Sequence, residues 1–226
     1  MPLTRLLYVA LLSCLLGLAA ASASAGLPST GTPSPGTGRA AAPSGARIEA
    51  LLLPEGTAGA VKLDGEFTEG AWEKAPPTRG FLQRDPKEGA EPAFDTEIRV
   101  LYDRDFLYVG VRAHDSAPGA IVGIRTRRDE ESPSDWLRVM IDSYRDRRTA
   151  YEFAVNAAGV KQDRYWFDDG NSDVSWDAVW DVSVRRDEQG WRAEFRIPFS
   201  QLRFAPGKGD AFGFAVVRQI GRLNET

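Results

Sequence analysis

Two Trp-Asp pairs, four residues apart, are the side chains whose types and spacing most directly suggest chemistry. They are Trp176-Asp177 and Trp180-Asp181, within the stretch SDVSWDAVWDV of residues 172–182. A four-residue spacing places both rings on one face of a helix or of a strand. Flat aromatic rings beside carboxylates are suited to bind a sugar, and the same rings are equally suited to fill a hydrophobic core.

The alternation of residue types around these pairs favours the core. From Val174 to Val184 every second residue is apolar, and the residues between them are polar except Val179. This period of two predicts a β-strand that buries Trp176 and Trp180 and turns the two aspartates outward. We expect Trp180 in the core and Trp176 in the core or at its rim.

A group of oxygen-bearing side chains lies before and at the start of this stretch and suggests a cation site. The candidate calcium ligands are Asp163, Asp168, Asp169 and Asp173. Hard oxygen ligands suit Ca²⁺, although the spacing does not match the helix-loop-helix calcium pattern. Calcium is therefore the candidate cofactor, and a solvated acidic loop is the alternative.

The sequence lacks the motifs of common hydrolases and nucleotide-binding proteins. Its single histidine, His114, is expected to be an ordinary polar residue at a strand end, and no Gly-x-Ser-x-Gly turn occurs. Phosphate-binding glycine loops are also missing. A glycoside hydrolase needs two carboxylates about 5–9.5 Å apart, but no motif nominates a pair.

Length and charge limit the partners that the chain can have. With 226 residues, 42% of them hydrophobic, it can bury the core of one domain. Its 28 basic and 32 acidic residues give a formal net charge of −4. Because a mildly acidic chain lacks the basic surface that binds phosphate backbones, no nucleic-acid partner is expected.

The N-terminal residues predict export. Residues 1–25 combine a basic start, a long apolar stretch and the sequence Ala-Ser-Ala before Gly26, which is typical of a cleaved signal peptide. Residues 26–46 are rich in Pro, Gly and Ser and are expected to form a flexible linker. The only cysteine, Cys14, lies in the signal segment, so disulfides and cysteine-bound zinc are not expected. We expect the mature protein in the periplasm, at the outer membrane or outside the cell.

From Arg47 onward the dominant period is two, which is the signature of β-strands. Thr96–Asp103 and Phe106–Ala113 are joined by a short polar turn and predict a hairpin. Five more strands are predicted at residues 136–142, 150–155, 160–167, 191–197 and 212–220. Helical signals are confined to Thr68–Ala75, with Thr68 as its cap, and Pro198–Phe204. This pattern predicts an all-β fold, an antiparallel β-sandwich with one or two short helices.

Several motifs in sequence order resemble family 9 carbohydrate-binding modules. The segment LDGEFTEGAW, Leu63–Trp72, is similar to the opening motif of that family, and Val100–Val109 and Trp136–Asp142 resemble the elements that follow. The segments SWDAVWDV and IPFSQLRF resemble the N-terminal modules of bacterial envelope proteins whose remaining part is expected to form an outer-membrane β-barrel. The resemblance covers roughly residues 47–226 and implies a jelly-roll-like sandwich whose partner is a carbohydrate.

The resemblance also implies a sugar site, with departures from the family pattern. In the better-understood sugar-binding members, two tryptophans clamp the sugar. Here the first clamp position falls near Ser132, the position of a family arginine holds Ala154, and the second clamp would lie beyond residue 226. We therefore expect the domain of residues 47–226 to be truncated at its C-terminal end. Trp136 or Trp166 could replace the lost platform, although a core role is the alternative for each. The candidate sugar-binding residues are Trp136, Arg138, Asn156 and Trp166.

Together these observations predict a non-catalytic carbohydrate-binding module. The module would be linked to carbohydrate catabolism, with any hydrolysis of O-glycosyl bonds residing elsewhere. One alternative is a structural module that caps an outer-membrane β-barrel missing from this chain and binds no sugar. A glycoside hydrolase is the third hypothesis.

Overall fold

A computed structural model of the protein describes residues 47–55, 61–168, 170–203 and 211–226. The signal peptide and linker predicted for residues 1–25 and 26–46 lie outside these residues, as does Asp169. The described residues form one short helix, α1 (Gly70–Lys74), and ten strands: β1 (Leu51–Leu52), β2 (Thr96–Tyr102), β3 (Phe106–His114), β4 (Trp136–Asp142), β5 (Ala150–Asn156), β6 (Lys161–Phe167), β7 (Asn171–Asp173), β8 (Asp181–Asp187), β9 (Gly190–Pro198) and β10 (Gly213–Gln219).

The strands form two five-stranded sheets that pack face to face as a β-sandwich. The strand order is β1-β2-β3-β9-β8 in the first sheet and β10-β4-β5-β6-β7 in the second. Neighbouring strands are antiparallel, except that β1 runs parallel to β2. The predicted all-β sandwich is therefore confirmed.

The β2–β3 hairpin shows how the alternating sequence becomes a sheet. Ile98 lies opposite Val111, and the residues around them alternate between the two faces. The carboxylate of Asp103 closes the turn, because its Oδ1 accepts the backbone N–H groups of Asp105 and Phe106 at 2.8 and 2.7 Å. The predicted hairpin is confirmed, and His114 ends β3 as expected.

Alternate residues of both sheets face inward and form the main core. The Trp180 side chain is 2% exposed, as predicted. Its ring stacks on Phe195 with centroids 5.8 Å apart, and it meets Phe153 edge-on at 5.4 Å. Burying an aromatic side chain of this size stabilises the fold by about 2–3 kcal/mol.

The strand predicted through the two Trp-Asp pairs is wrong over its first half. Residues 174–180 are not part of a strand, and β8 begins only at Asp181. These residues connect β7, at the edge of the second sheet, with β8, at the edge of the first. Trp176 is half-buried against Tyr151, whereas Val174 is exposed rather than inward-facing. An extended connection between two sheets can bury alternate side chains as a strand does, which explains the misleading pattern.

The N-terminal segment covers part of the outward face of the first sheet. Trp72, on α1, is buried there against Leu101 and Tyr108. The helix is shorter than predicted and begins after Glu69, so the expected cap at Thr68 is wrong. The second predicted helix is a single 3-10 turn, Phe199–Gln201.

Candidate functional site

The outward face of the second sheet carries a connected group of polar side chains. Arg138 on β4 lies opposite Ala154 on β5, and Glu152 on β5 lies opposite Arg164 on β6. Neighbours of these residues along each strand point into the core, so the group faces away from the first sheet. We call this group the Glu152 cluster: Arg138, Glu152, Gln162, Arg164 and Trp166.

Glu152 connects the cluster through both of its carboxylate oxygens. Its Oε1 accepts a hydrogen bond of 2.8 Å from Arg138 Nη1 and lies 3.6 Å from Arg164 Nε. Its Oε2 accepts the indole N–H of Trp166 at 2.7 Å. Because Glu152 is buried, its charge requires such partners. Glu152 thereby fixes the orientation of both arginines and of the Trp166 ring.

The two arginines lie largely covered on this face. The side chains of Arg138 and Arg164 are 13% and 18% exposed. Arg138 also donates to Gln162 Oε1 at 3.3 Å and to Glu131 Oε1 at 2.9 Å. The Arg164 guanidinium lies over the half-buried Trp166 ring, 5.6 Å from its centroid. The cluster therefore combines planar donors with one aromatic ring, an arrangement that can contact a polar ring-shaped ligand.

Trp136 lies on the same face but is fully buried. It packs in a small cluster with Ala154 and Val160, and the Arg138 guanidinium lies 5.2 Å from its ring centroid. Its indole N–H donates to the backbone oxygen of Ser132 at 3.0 Å. Ser132 and Ala154, where the family pattern places a clamp and an arginine, thus support a buried Trp136.

Asn156 is also buried, and its side chain closes a turn. Its Oδ1 accepts the backbone N–H groups of Ala158 and Val160, both at 2.9 Å. Its Nδ2 donates to the backbone oxygen of Ile124 at 2.8 Å. Of the four candidate sugar-binding residues, the structure therefore joins Arg138 and Trp166 through Glu152, and it places Trp136 and Asn156 in buried structural positions.

Asp163, one of the candidate calcium ligands, points between the sheets. Its carboxylate pairs with Arg128, accepts the backbone N–H of Ala178 at 2.6 Å and accepts the Trp180 indole N–H at 3.2 Å. These donors use the oxygens that a cation would need. Asp163 instead fixes the connection between β7 and β8.

The other described acidic candidates do not converge on Asp163. Asp168 is exposed and pairs with Arg148 at 3.2 Å, whereas Asp173 accepts the backbone N–H of Ser175 at 2.8 Å. Within the described ranges, no group of three or more His, Cys, Asp or Glu side chains is placed to hold a metal ion.

Two open grooves lie away from the Glu152 cluster. One is lined by the basic side chains Arg125, Arg128 and Lys161, and burial lowers the pKa of Lys161. The other lies beside the end of β3 and is lined by residues that include Phe94, His114, Asp115 and Glu188. Neither groove contains a candidate sugar-binding residue.

Glu152, Gln162 and Arg164 were not among the residues selected from the sequence. The polar residues at the start of β6 are typical of an ordinary solvated strand. The available signal was Glu152 itself, a carboxylate between Tyr151 and Phe153 in the otherwise apolar run of residues 150–155. Only the register of three strands shows which residues meet there.

No helix in the described ranges has the length and apolar character needed to cross a membrane.

Comparison with known proteins places this architecture in a family. Two solved structures share the fold at a TM-score of 0.50. A family 9 carbohydrate-binding module from Caldicellulosiruptor kristjanssonii is 17% identical, and the match covers 74% of this chain and 73% of that chain. A protein from Bacteroides uniformis is 11% identical, with 77% and 89% covered. A comparison with curated proteins finds no match. The family model described as carbohydrate family 9 binding domain-like matches residues 63–220, well over half of the chain, so the chain belongs to this family.

Proposed function

We propose that this chain is a non-catalytic carbohydrate-binding module that contacts its ligand with the outward face of the second sheet. One observation carries the proposal: Arg138 and Trp166 are held together through Glu152 on that face. Membership of a carbohydrate-binding family supports the ligand class.

The chemistry of the Glu152 cluster is suited to this role. Sugars are bound by polar groups in fixed positions, which meet the hydroxyls, and by aromatic rings, which pack on the apolar face of the sugar ring. Arg138 and Arg164 supply N–H donors, and Trp166 supplies a half-buried ring. Because Glu152 already orients these side chains, little rotamer entropy remains to be lost on binding.

Cello-oligosaccharides are the first ligands to test, because the Caldicellulosiruptor kristjanssonii structure was solved in complex with cellotriose. Calorimetric titration of the whole chain with mono- and oligosaccharides is expected to detect binding with a Kd below about 10 mM. If no sugar binds below that level, with or without calcium, the proposal fails.

Two variants locate the binding surface. Trp166→Ala and Arg138→Ala are each expected to weaken binding about tenfold or more, because each removes a contact group of the cluster. Phe106→Ala is the control, since Phe106 is a half-buried aromatic residue on the first sheet. If Phe106→Ala weakens sugar binding as much as the cluster variants do, the ligand does not bind at the Glu152 cluster.

The proposal extends to cellular context. Export through residues 1–25, a location in the periplasm, at the outer membrane or outside the cell, and a link to carbohydrate catabolism with hydrolysis performed elsewhere are parts of it. N-terminal sequencing of the mature protein is expected to begin at Gly26. A mature protein that keeps residues 1–25 would contradict the export proposal.

A second candidate function is a cap on an outer-membrane β-barrel, without a sugar ligand. It is favoured by the resemblance of SWDAVWDV and IPFSQLRF to barrel-linked envelope proteins. This candidate predicts that the downstream DNA encodes alternating strands of about 10 residues with aromatic girdles. An immediate stop codon would contradict it.

A further inference from the structure

The acceptor oxygens of the Glu152 cluster are all engaged within the protein. Glu152 Oε1 and Oε2 accept hydrogen bonds from Arg138 and Trp166. Gln162 Oε1 accepts from Arg138. Each of these oxygens therefore already accepts one hydrogen bond from within the protein.

Donors of the same cluster are left over. In the described part of the chain, Gln162 Nε2 and Arg164 Nε are buried and have no hydrogen-bond partner. The separation of 3.6 Å between Arg164 Nε and Glu152 Oε1 is an ion-pair contact that is too long for a hydrogen bond. A buried donor without a partner costs free energy. Because both atoms are covered, the contact open to a ligand is the exposed 18% of the Arg164 side chain.

The charge of the cluster is positive. Two arginines face a single carboxylate, and all three side chains are at most 18% exposed. Glu131, the further partner of Arg138, is 64% exposed, so water and salt screen its charge more strongly. An excess positive charge thus remains near Arg164.

We infer that the ligand is an acidic sugar, one that carries a carboxylate or sulfate oxyanion, and that this group binds at Arg164. The inference rests on the proposed function and names its ligand class. A carboxylate or sulfate accepts hydrogen bonds and carries a charge opposite to that of the arginines, whereas a neutral hydroxyl has no charge to balance theirs. The planar guanidinium matches an oxyanion with two parallel N–H donors.

Matched ligand pairs test the inference. The whole chain is titrated with galacturonate and galactose oligosaccharides of equal length and linkage, and with a sulfated galactose oligosaccharide. At low ionic strength the acidic sugars are expected to bind at least tenfold more tightly than the neutral one. Added salt should reduce this preference, because the attraction is electrostatic. Comparing the affinities of the galacturonate and the sulfated galactose oligosaccharides shows which oxyanion is preferred.

Arg164→Gln is expected to reduce the preference for the acidic sugars to within twofold of unity. Arg185→Gln removes the same charge from the opposite sheet, where Arg185 pairs with Glu66, and should leave the preference unchanged. Thermal unfolding of both variants checks that each is folded.

The outcomes separate this inference from the proposed function. Equal binding of neutral and acidic sugars would overturn the inference and leave the proposed function standing. A preference that survives in Arg164→Gln would also overturn it. Failure of every sugar to bind would overturn the proposed function itself.

Discussion

The indole Nε1 of Trp72 donates a hydrogen bond of 3.0 Å to Glu194 Oε1, although the two residues are 122 positions apart in the chain. The other oxygen of Glu194 accepts the backbone N–H groups of Asp64 and Gly65 at 3.0 and 2.7 Å. One carboxylate on β9 therefore attaches both ends of the LDGEFTEGAW segment to the first sheet. Gly65 is required at this contact, since its φ is +78° and a Cβ there would lie 3.0 Å from Arg185 Cβ.

Glu194 should make stability depend on pH. Burial raises its pKa from an ordinary 4.5 to about 7. Between these values the folded state holds a proton that the unfolded state has released, so the free energy of unfolding falls as pH rises through this window. The loss is expected to be about 3 kcal/mol.

Urea denaturation at about pH 4.5 and pH 7.5 measures this loss, and Glu194→Gln removes the contribution of Glu194. Comparing the two proteins cancels the other titrating groups. If wild type and Glu194→Gln show the same change with pH, the predicted contribution of Glu194 does not exist.

Gly110→Ala is expected to destabilise the protein by about 1–3 kcal/mol through overpacking. A Cβ at this position would lie 3.0 Å from Trp72 Cζ3 and 3.1 Å from Phe67 Cζ. Gly119→Ala is the matched control, because a Cβ there meets no atom within 4 Å. Chemical denaturation of both variants checks the prediction, and equal effects would argue against close packing of Trp72 on β3.

Trp180→Ala should cost about 3–5 kcal/mol, because it leaves a cavity beside Phe153 and Phe195. Val179→Ala, one residue away and 76% exposed, should change stability by no more than about 0.5 kcal/mol. Both values are read from the midpoint and slope of urea unfolding. Unchanged stability in Trp180→Ala would contradict its core role.

Asp163→Ala should cost about 3–5 kcal/mol, because it leaves Arg128 without its buried partner and the Ala178 N–H without an acceptor. Asp177 also pairs with Arg128, but its side chain is 75% exposed. Asp177→Ala should therefore cost no more than about 1 kcal/mol.

Wild-type unfolding is expected to be the same with calcium and with a chelator. A shift to higher stability in calcium would restore the acidic residues as a metal site.

The parts of the fold that were predicted correctly are those in which alternating residue types are accompanied by local hydrogen bonds. The β2–β3 hairpin was predictable because Asp103 supplies turn chemistry between two alternating runs. The alternation around Trp176 and Trp180 misled because burial of alternate residues does not by itself provide a strand partner. A neighbouring strand is a long-range property that residues 174–180 do not encode locally.

The candidate site was predictable in part. Arg138 and Trp166 were selected, but their shared partner was not, because Glu152 becomes central only through the pairing of β4, β5 and β6. Asp163 was assigned a role from the sequence that its position in the structure does not support. It belonged to a plausible calcium set by proximity in sequence, but the pleat of β6 turns it toward Trp180 and away from solvent.

Glu194, which attaches the segment Leu63–Trp72 to the first sheet, has a consequence for how the family motif and the ligand specificity can evolve. The segment Leu63–Trp72 is seated on the outward face of the first sheet, whereas the Glu152 cluster lies on the outward face of the second. Substitutions in one of these surfaces need not disturb the other, because the main core separates them. The sequence motif that identifies the family therefore describes how one side of the sandwich is covered. Ligand specificity can change on the opposite side without loss of that motif.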